Sequence, residues 1–347
     1  MAMAWYACST TPIIKHLNQR FEETHSRMDD EGRTSIRSTV KQAWFADDAT
    51  VSGSIDDLST YWKELLRIGP NYGYFPNPTK TVLIVKPDTH ERATEIFGDS
   101  GVIITSDGQR QLGAALGSED FRTEYVTKKV KGWIEEVKTL AKAAESDPHS
   151  AYAAFTYGMV HKWGFFQRTI PAPPSLYQPL EDVLKVLFIP KITGRGISDL
   201  ERSLLALPCR LGGIGIPNPV ATAEQAFNDS VHITRPLVDK ILNGEYLLDN
   251  TTLVEIDRRK KEVVSRNNEA IKETAKQVAL QLPDHLRRLT KLNSEKGSSC
   301  WLTSLPLIEC GFYLNKQAFV DALCLRYGWK VKGMANFCAC GTKNTTP

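Results

Sequence analysis

Two adjacent carboxylates, Asp47 and Asp48, stand inside QAWFADDATVSG at residues 41–52. An aromatic-rich run precedes them and a β-branched run follows. Phosphoryl transfer assisted by divalent metal needs carboxylates on a rigid support, because Mg²⁺ prefers oxygen ligands. A tight hairpin supplies such a support, since ladder hydrogen bonds fix both strands while the turn side chains stay outside. Aspartate also tolerates turn geometry, and the pair by itself favours a solvated loop over a metal site. The flanking elements must decide between the two.

Residues 38–46 and 49–53 predict two short strands around the pair. A helix follows from about Asp56 to Ile68, with Leu58, Trp62, Leu65 and Leu66 expected on its buried face. Ser54 suits the N-cap, Asp56 and Asp57 suit the positive end of the helix dipole, and Gly69-Pro70 stops it. The loop GPNYGYFPNPTK leads into an apolar strand, TVLIVK, at 81–86. A short helix near 88–97 and strands near 101–105 and 110–116 complete an α+β unit ending around Gly117. Ahead of all this, residues 3–24 read as a helix interrupted by Pro12, with Met3, Tyr6, Ile13, Ile14, Leu17 and Phe21 as its apolar positions. It starts without cap or leader, as though in mid-domain.

Phe45-Ala46-Asp47-Asp48 resembles the aromatic-x-Asp-Asp hairpin of reverse transcriptases. The elements after it follow in that family's order: the amphipathic helix DDLSTYWKELL, the glycine loop GPNYGYFPNPTK, then a lysine just before the strand TVLIV. RQLGAALGS at 110–118 resembles the leucine-glycine strand pair that grips the primer end in that family. LPCRLGGIGIP at 207–217 matches a Leu-Pro-x-x-x-Gly-Gly-x-Gly segment of the non-LTR retroelement enzymes. The resemblance covers roughly residues 1–220.

The resemblance implies an α+β fold in three parts. Residues 1–117 would be a partial polymerase palm, an antiparallel sheet with covering helices. Residues 118–295 would be a mostly helical thumb and connection region, and 296–347 a small C-terminal remnant. The implied parent activity is RNA-directed DNA synthesis, with Asp47 as the main Mg²⁺ ligand and Asp48 as the secondary one. Lys80 would assist departure of pyrophosphate, and Leu112-Gly113 would support the primer end. The implied partners are an RNA template and a DNA primer paired as a duplex.

One departure from the family weighs on activity. These enzymes take a further aspartate from an earlier strand and a Gln-Gly segment from an earlier loop. No apolar strand bearing an aspartate precedes Asp47, and Asp29-Asp30 sit in the charged run EETHSRMDDEGR. The fingers and the first half of the palm are therefore expected to be missing. The expectation is a truncated reverse transcriptase, inactive alone. The competing reading is a non-enzymatic helical module that binds nucleic acid.

That competing reading draws on the helix at 119–143. It carries Arg122, Lys128, Lys129, Lys131, Lys138 and Lys142 beside Phe121, Tyr125 and Trp133. Cations on one helix face suit phosphates, although Glu124, Glu135 and Glu136 dilute them, and a solvated face is the plain alternative. HKWGFFQR at 161–168 mixes cations with aromatics, which suits either base stacking or packing. Asp56-Asp57 could join Asp47-Asp48 in an acidic metal cluster, but helix capping explains them more simply. The turn LGGIGIP lacks the third glycine and the preceding strand of a dinucleotide loop. RRKK at 258–261 reads as a solvated helix face.

The remaining signals bound the setting. The 347 residues include 41 % hydrophobic and 24 % charged side chains, with a net charge of +3. This is ordinary globular composition, and its mild basicity permits nucleic acid without demanding it. No run reaches the roughly 18 apolar residues of a membrane span. Seven scattered cysteines and the lack of a signal peptide point to a soluble, intracellular, reducing setting. Cys338-Ala-Cys340-Gly resembles the first half of a zinc knuckle. Zn²⁺ needs four ligands and none follows, so no zinc is expected.

Overall fold

The structure is a computed structural model, and it describes residues 2–24, 40–45, 48–243, 245, 249–335, 337 and 342. The chain is α+β, dominated by helices, and among the described residues its strands lie between Lys41 and Gly117. Its contacts divide it into two compact units: residues 1–121 with 234–256, and residues 122–233 with 257–347. The chain passes from one unit to the other inside three of its helices.

In the first unit, α1 (Ala2–Thr24) and α2 (Ile55–Ile68) cover one face of the hairpin β1 (Lys41–Phe45) and β2 (Asp48–Ser52). Strand alternation sorts the hairpin's side chains. Gln42, Trp44, Ala49 and Val51 face the helices; Lys41, Ala43, Phe45, Asp48, Thr50 and Ser52 face away. Ile13, Leu17 and Phe21 of α1 meet Tyr61, Leu65 and Ile68 of α2 in one core, with Val40 and, at its margin, Trp44, Val51, Trp62 and Tyr74.

Ser54 caps α2 by accepting from the Asp57 N–H at 3.3 Å, as its sequence predicts. The buried face is rotated from the expected one. Tyr61 and Ile68 are inside while Leu66 is 40 % exposed. The reason is Gln42, a polar residue under α2 whose Oε1 accepts from Tyr61 Oη and Trp44 Nε1, each at 2.8 Å. A buried amide demands such partners, and a tyrosine supplies one where a leucine cannot.

The remaining strands depart from a single antiparallel sheet. They form separate two-stranded ladders, and β3 (Val82–Ile84) pairs with β4 (Ile103–Thr105) in parallel. The connection runs through α3 (His90–Phe97), and a helical crossover returns the chain in its original direction. The expected strand at 110–116 is a hairpin instead, β5 (Gly108–Gln111) and β6 (Ala114–Gly117), turning at Leu112-Gly113. Both turn residues have positive φ, +48° and +86°, as a two-residue turn matching strand twist requires. The sequence hides this turn because leucine occupies a position usually given to Asn, Asp or Gly.

The second unit begins within α4 (Glu119–Ala143), whose Val126, Val130, Trp133, Val137 and Ala141 form a buried stripe. Next come α5 (Pro148–Ala154) and α6 (Val160–Thr169), joined by a π turn at Phe155–Met159. A second π turn, Leu184–Phe188, joins α7 (Gln178–Val183) to α8 (Ile189–Thr193). Phe155 and Phe188, one from each π turn, stack at 4.8 Å. Then follow α9 (Asp199–Ala206), α10 (Pro219–Leu242), α11 (Asn250–Gln281), α12 (Asp284–Asn293), α13 (Cys300–Thr303) and α14 (Lys316–Tyr327).

The turn LGGIGIP sits between α9 and α10, and side chains hold it from several sides. Tyr327 donates to the Gly212 carbonyl at 3.0 Å, Arg326 to that of Gly213 at 3.1 Å, and Tyr152 to that of Ile214 at 2.6 Å. Arg202, paired with Glu181 at 2.7 Å, donates to the Ile216 carbonyl at 2.8 Å. Gly213 is forced by space: a Cβ there would lie 1.9 Å from the Leu207 carbonyl oxygen. The phenols of Tyr152 and Tyr327 are pushed up by burial, so both stay protonated donors. Among the described residues no helix is long and apolar enough to cross a membrane.

Candidate functional site

The outer face of the β1–β2 hairpin gathers the candidate chemistry of the first unit. Asp48 pairs directly with Phe45 across the ladder, and both side chains point away from the core. Asp48 is exposed and Phe45 is 60 % exposed. Asp47 lies outside the described residues, as does Ala46. Support comes from the other face, where Gln42 is tied to α1 and α2 through Asn18, the Ile14 carbonyl and Tyr61. The hairpin therefore has one anchored face and one open face.

Two residues beyond Asp48, on the same open face, Thr50 Oγ1 accepts a hydrogen bond from Gln111 Nε2 at 3.1 Å. Gln111 is the last residue of β5, immediately before the Leu112-Gly113 turn. This bond spans the separate ladders and sets the turn beside the face that carries Asp48. Leu112 is half exposed, and it is the one non-glycine residue with positive φ among the described residues. A bulky side chain in that region is strained, and such strain persists where surroundings or function demand it.

Lys80 ends the helical turn Pro78–Lys80 just ahead of β3, and its side chain is exposed. Asn77 holds this turn by accepting from the Thr79 N–H at 3.0 Å. β3 lies beside β5, so Lys80 leads into the strand next to the Leu112 hairpin. Asp56 is engaged elsewhere, 2.6 Å from Arg92 of α3. Among the described residues no group of three or more His, Cys, Asp or Glu side chains is placed to hold a metal ion. Asp48 is the one carboxylate of the β1–β2 hairpin among the described residues.

A second polar group, which the sequence reading missed, ties α1 to α2. His16 Nε2 lies 2.9 Å from Glu64 Oε1, and Arg67 grips the same carboxylate with bonds of 2.6 and 2.9 Å. Pairing with Arg67, and then with His16, holds Glu64 down to about 2 despite its partial burial. The i, i+3 spacing of Glu64 and Arg67 is visible in the sequence; His16 is not, because the contact joins distant segments.

In the second unit, α4 places Lys128 and Lys131 in solvent. Lys129 instead lies over the rings of Tyr125 at 5.6 Å and Phe166 at 5.9 Å. The run HKWGFFQR packs: Trp163 is 1 % exposed, Phe166 meets Trp133 edge-on at 4.9 Å, and buried Gln167 donates to the Pro219 carbonyl. Cys338 and Cys340 lie outside the described residues. Cys300 and Cys310 are exposed thiols, and Cys324 is buried. No family model, curated protein or solved structure matches the chain.

Proposed function

We propose that the chain is part of a retroelement reverse transcriptase, in which the β1–β2 hairpin belongs to the palm and α4 to the thumb. Asp47 and Asp48 would hold Mg²⁺, which when bound offsets negative charge on the phosphates of an incoming nucleotide. Lys80 would give a proton to the departing pyrophosphate, and Leu112-Gly113 would support the primer end. Lys128 and Lys131 would lie against template–primer phosphates, with Lys129 held back on its aromatic pair. The hairpin offers two carboxylates where this chemistry in the family uses three. The chain is accordingly expected to bind an RNA–DNA hybrid without extending it.

The observation that carries this reading is the Gln111–Thr50 hydrogen bond, which sets a strained, exposed turn beside the face bearing Asp48. Solvation of a loop would require no such bond. The exposed lysines of α4 also favour a second reading, a helical nucleic-acid-binding module without catalytic ancestry. Primer extension with Mg²⁺ and deoxynucleotides, run beside salt-dependent hybrid binding, tests both. Binding without extension is the expected result. Extension abolished by Asp47→Ala would overturn the inertness and keep the polymerase assignment. Absence of both binding and extension would overturn the assignment and the module alike.

A further inference from the structure

Residues 304–315 lead from α13 to α14 in the second unit without helix or strand, and this strap is pinned at both ends. At its start Tyr157 Oη, from the first π turn, donates to the Thr303 carbonyl. At its end the Leu314 N–H donates to His149 Nδ1 of α5 at 3.0 Å. Between the pins the strap folds on itself, with the Phe312 N–H on the Leu307 carbonyl at 3.0 Å. No residue of the strap is fully buried, so its attachment depends on the two pins.

His149 is 1 % exposed, and its ring stacks on Phe319 of α14 at 4.9 Å. An N–H donor on Nδ1 requires a lone pair there, so the ring is neutral with its proton on Nε2. Nε2 is itself buried near the Trp301 carbonyl without a formed hydrogen bond. A second proton would set Nδ1–H against the Leu314 N–H and leave a buried cation. The groups around the ring supply no bonded counter-ion among the described residues. Asp147 accepts from the Ser150 N–H as the N-cap, Lys191 of α8 is paired with Glu145, and Lys316 of α14 donates to the Glu145 carbonyl. Asp321 of α14 accepts from Gln317. On the strap, Glu309 is exposed and Tyr313 lies alongside the ring at 6.2 Å. Burial, partly offset by the Trp301 carbonyl and Asp147, holds the imidazole below its ordinary value of 6.5.

The geometry points to a pH-operated latch: neutral His149 holds the strap on α5, and protonated His149 releases residues 304–315 from the α5–α14 core. With the strap open, the imidazole meets water and takes its proton at the ordinary value. The closed form is therefore favoured in full above 6.5 and loses that advantage as the pH falls below it.

The test is hydrogen exchange of the full chain from about pH 8 to about pH 5, read by mass spectrometry and corrected for the pH dependence of the chemical exchange step. Below 6.5 the protection of the strap peptide falls by up to about tenfold per pH unit, while the peptide around buried Trp163 keeps its protection. His149→Asn offers an amide oxygen to the Leu314 N–H but takes no proton, so its strap protection stays level with pH. Tyr157→Phe, which cuts the other pin, lowers strap protection by the same factor at every pH. That variant and the wild-type profile decide the matter even where His149→Asn fails to fold. A wild-type strap whose protection does not change with pH overturns the latch. So does a loss shared with the Trp163 peptide, which marks global acid unfolding, or a pH dependence that His149→Asn retains.

Discussion

The open face of the β1–β2 hairpin and the LGGIGIP turn of the second unit meet opposite demands. Around the turn, Tyr152, Arg202, Arg326 and Tyr327 each satisfy a backbone carbonyl, and glycine is imposed by contact. On the hairpin, the inward face is tied down through Gln42, while Phe45, Asp48 and Thr50 stay exposed. Leu112, strained and half exposed, lies next to that face with a single side-chain hydrogen bond beside it. A segment whose polar groups are all met inside the protein is scaffold. A segment whose support is complete on one side only can offer its other side to a ligand.

The largest expected effect lies on the scaffold. Glu181→Ala leaves the Arg202 guanidinium buried without its carboxylate and costs about 3–5 kcal/mol, read from the urea midpoint. If the loss is below about 1 kcal/mol, the turn is not held as described. At the β5–β6 turn the sign reverses. Leu112→Asn relieves the positive φ and stabilises by roughly 1 kcal/mol, and under the proposed function it weakens retention of a primer terminus. Destabilisation there would show that Leu112 is packed rather than strained.

An acid titration comes next. The depressed Glu64 contributes stability in full above the ordinary carboxylate value of 4.5, and the contribution is lost as pH falls toward about 2. Arg67→Ala removes most of this slope, the effect being tempered by the exposure of Arg67 to solvent. An unchanged slope would assign acid unfolding to other carboxylates. The smallest effect is on Gln111→Ala, whose exposed bond costs at most about 0.5 kcal/mol. Its consequence should appear in primer-end contacts rather than in melting.

Much of the α+β region is legible in residue order. The alternation of QAWF and DATVS, the Ser54 cap and the Gly-Pro stop each encode their element locally. What escapes is set by distant partners or by unusual turn chemistry. Leucine at a positive-φ position makes the residue pattern at 110–116 read as one strand, and only the resemblance of RQLGAALGS implied a strand pair there. The amide of Gln42 turns Tyr61 inward in place of Leu66. A crossover helix makes β3 and β4 parallel although neither strand is long enough to announce it. The candidate site follows the same division. Asp47, Asp48 and Lys80 stand out by type and spacing. Thr50 and Gln111 look like ordinary strand polars until a bond across 61 residues joins them. Period-2 alternation from Asp48 would have put Thr50 on the same face, which is the one signal the sequence offered.

The central claim, that the Asp47-Asp48 hairpin faces a primer terminus, is tested most directly by Fe²⁺-directed hydroxyl-radical cleavage of a bound RNA–DNA hybrid. Iron held by the hairpin carboxylates cuts only what lies close to it. The prediction is cleavage confined to the nucleotides at the primer 3′ end, lost in Asp48→Ala while hybrid affinity is retained. Cleavage spread evenly along the hybrid, or unchanged in Asp48→Ala, would contradict the assignment and leave Asp47-Asp48 as a solvated turn.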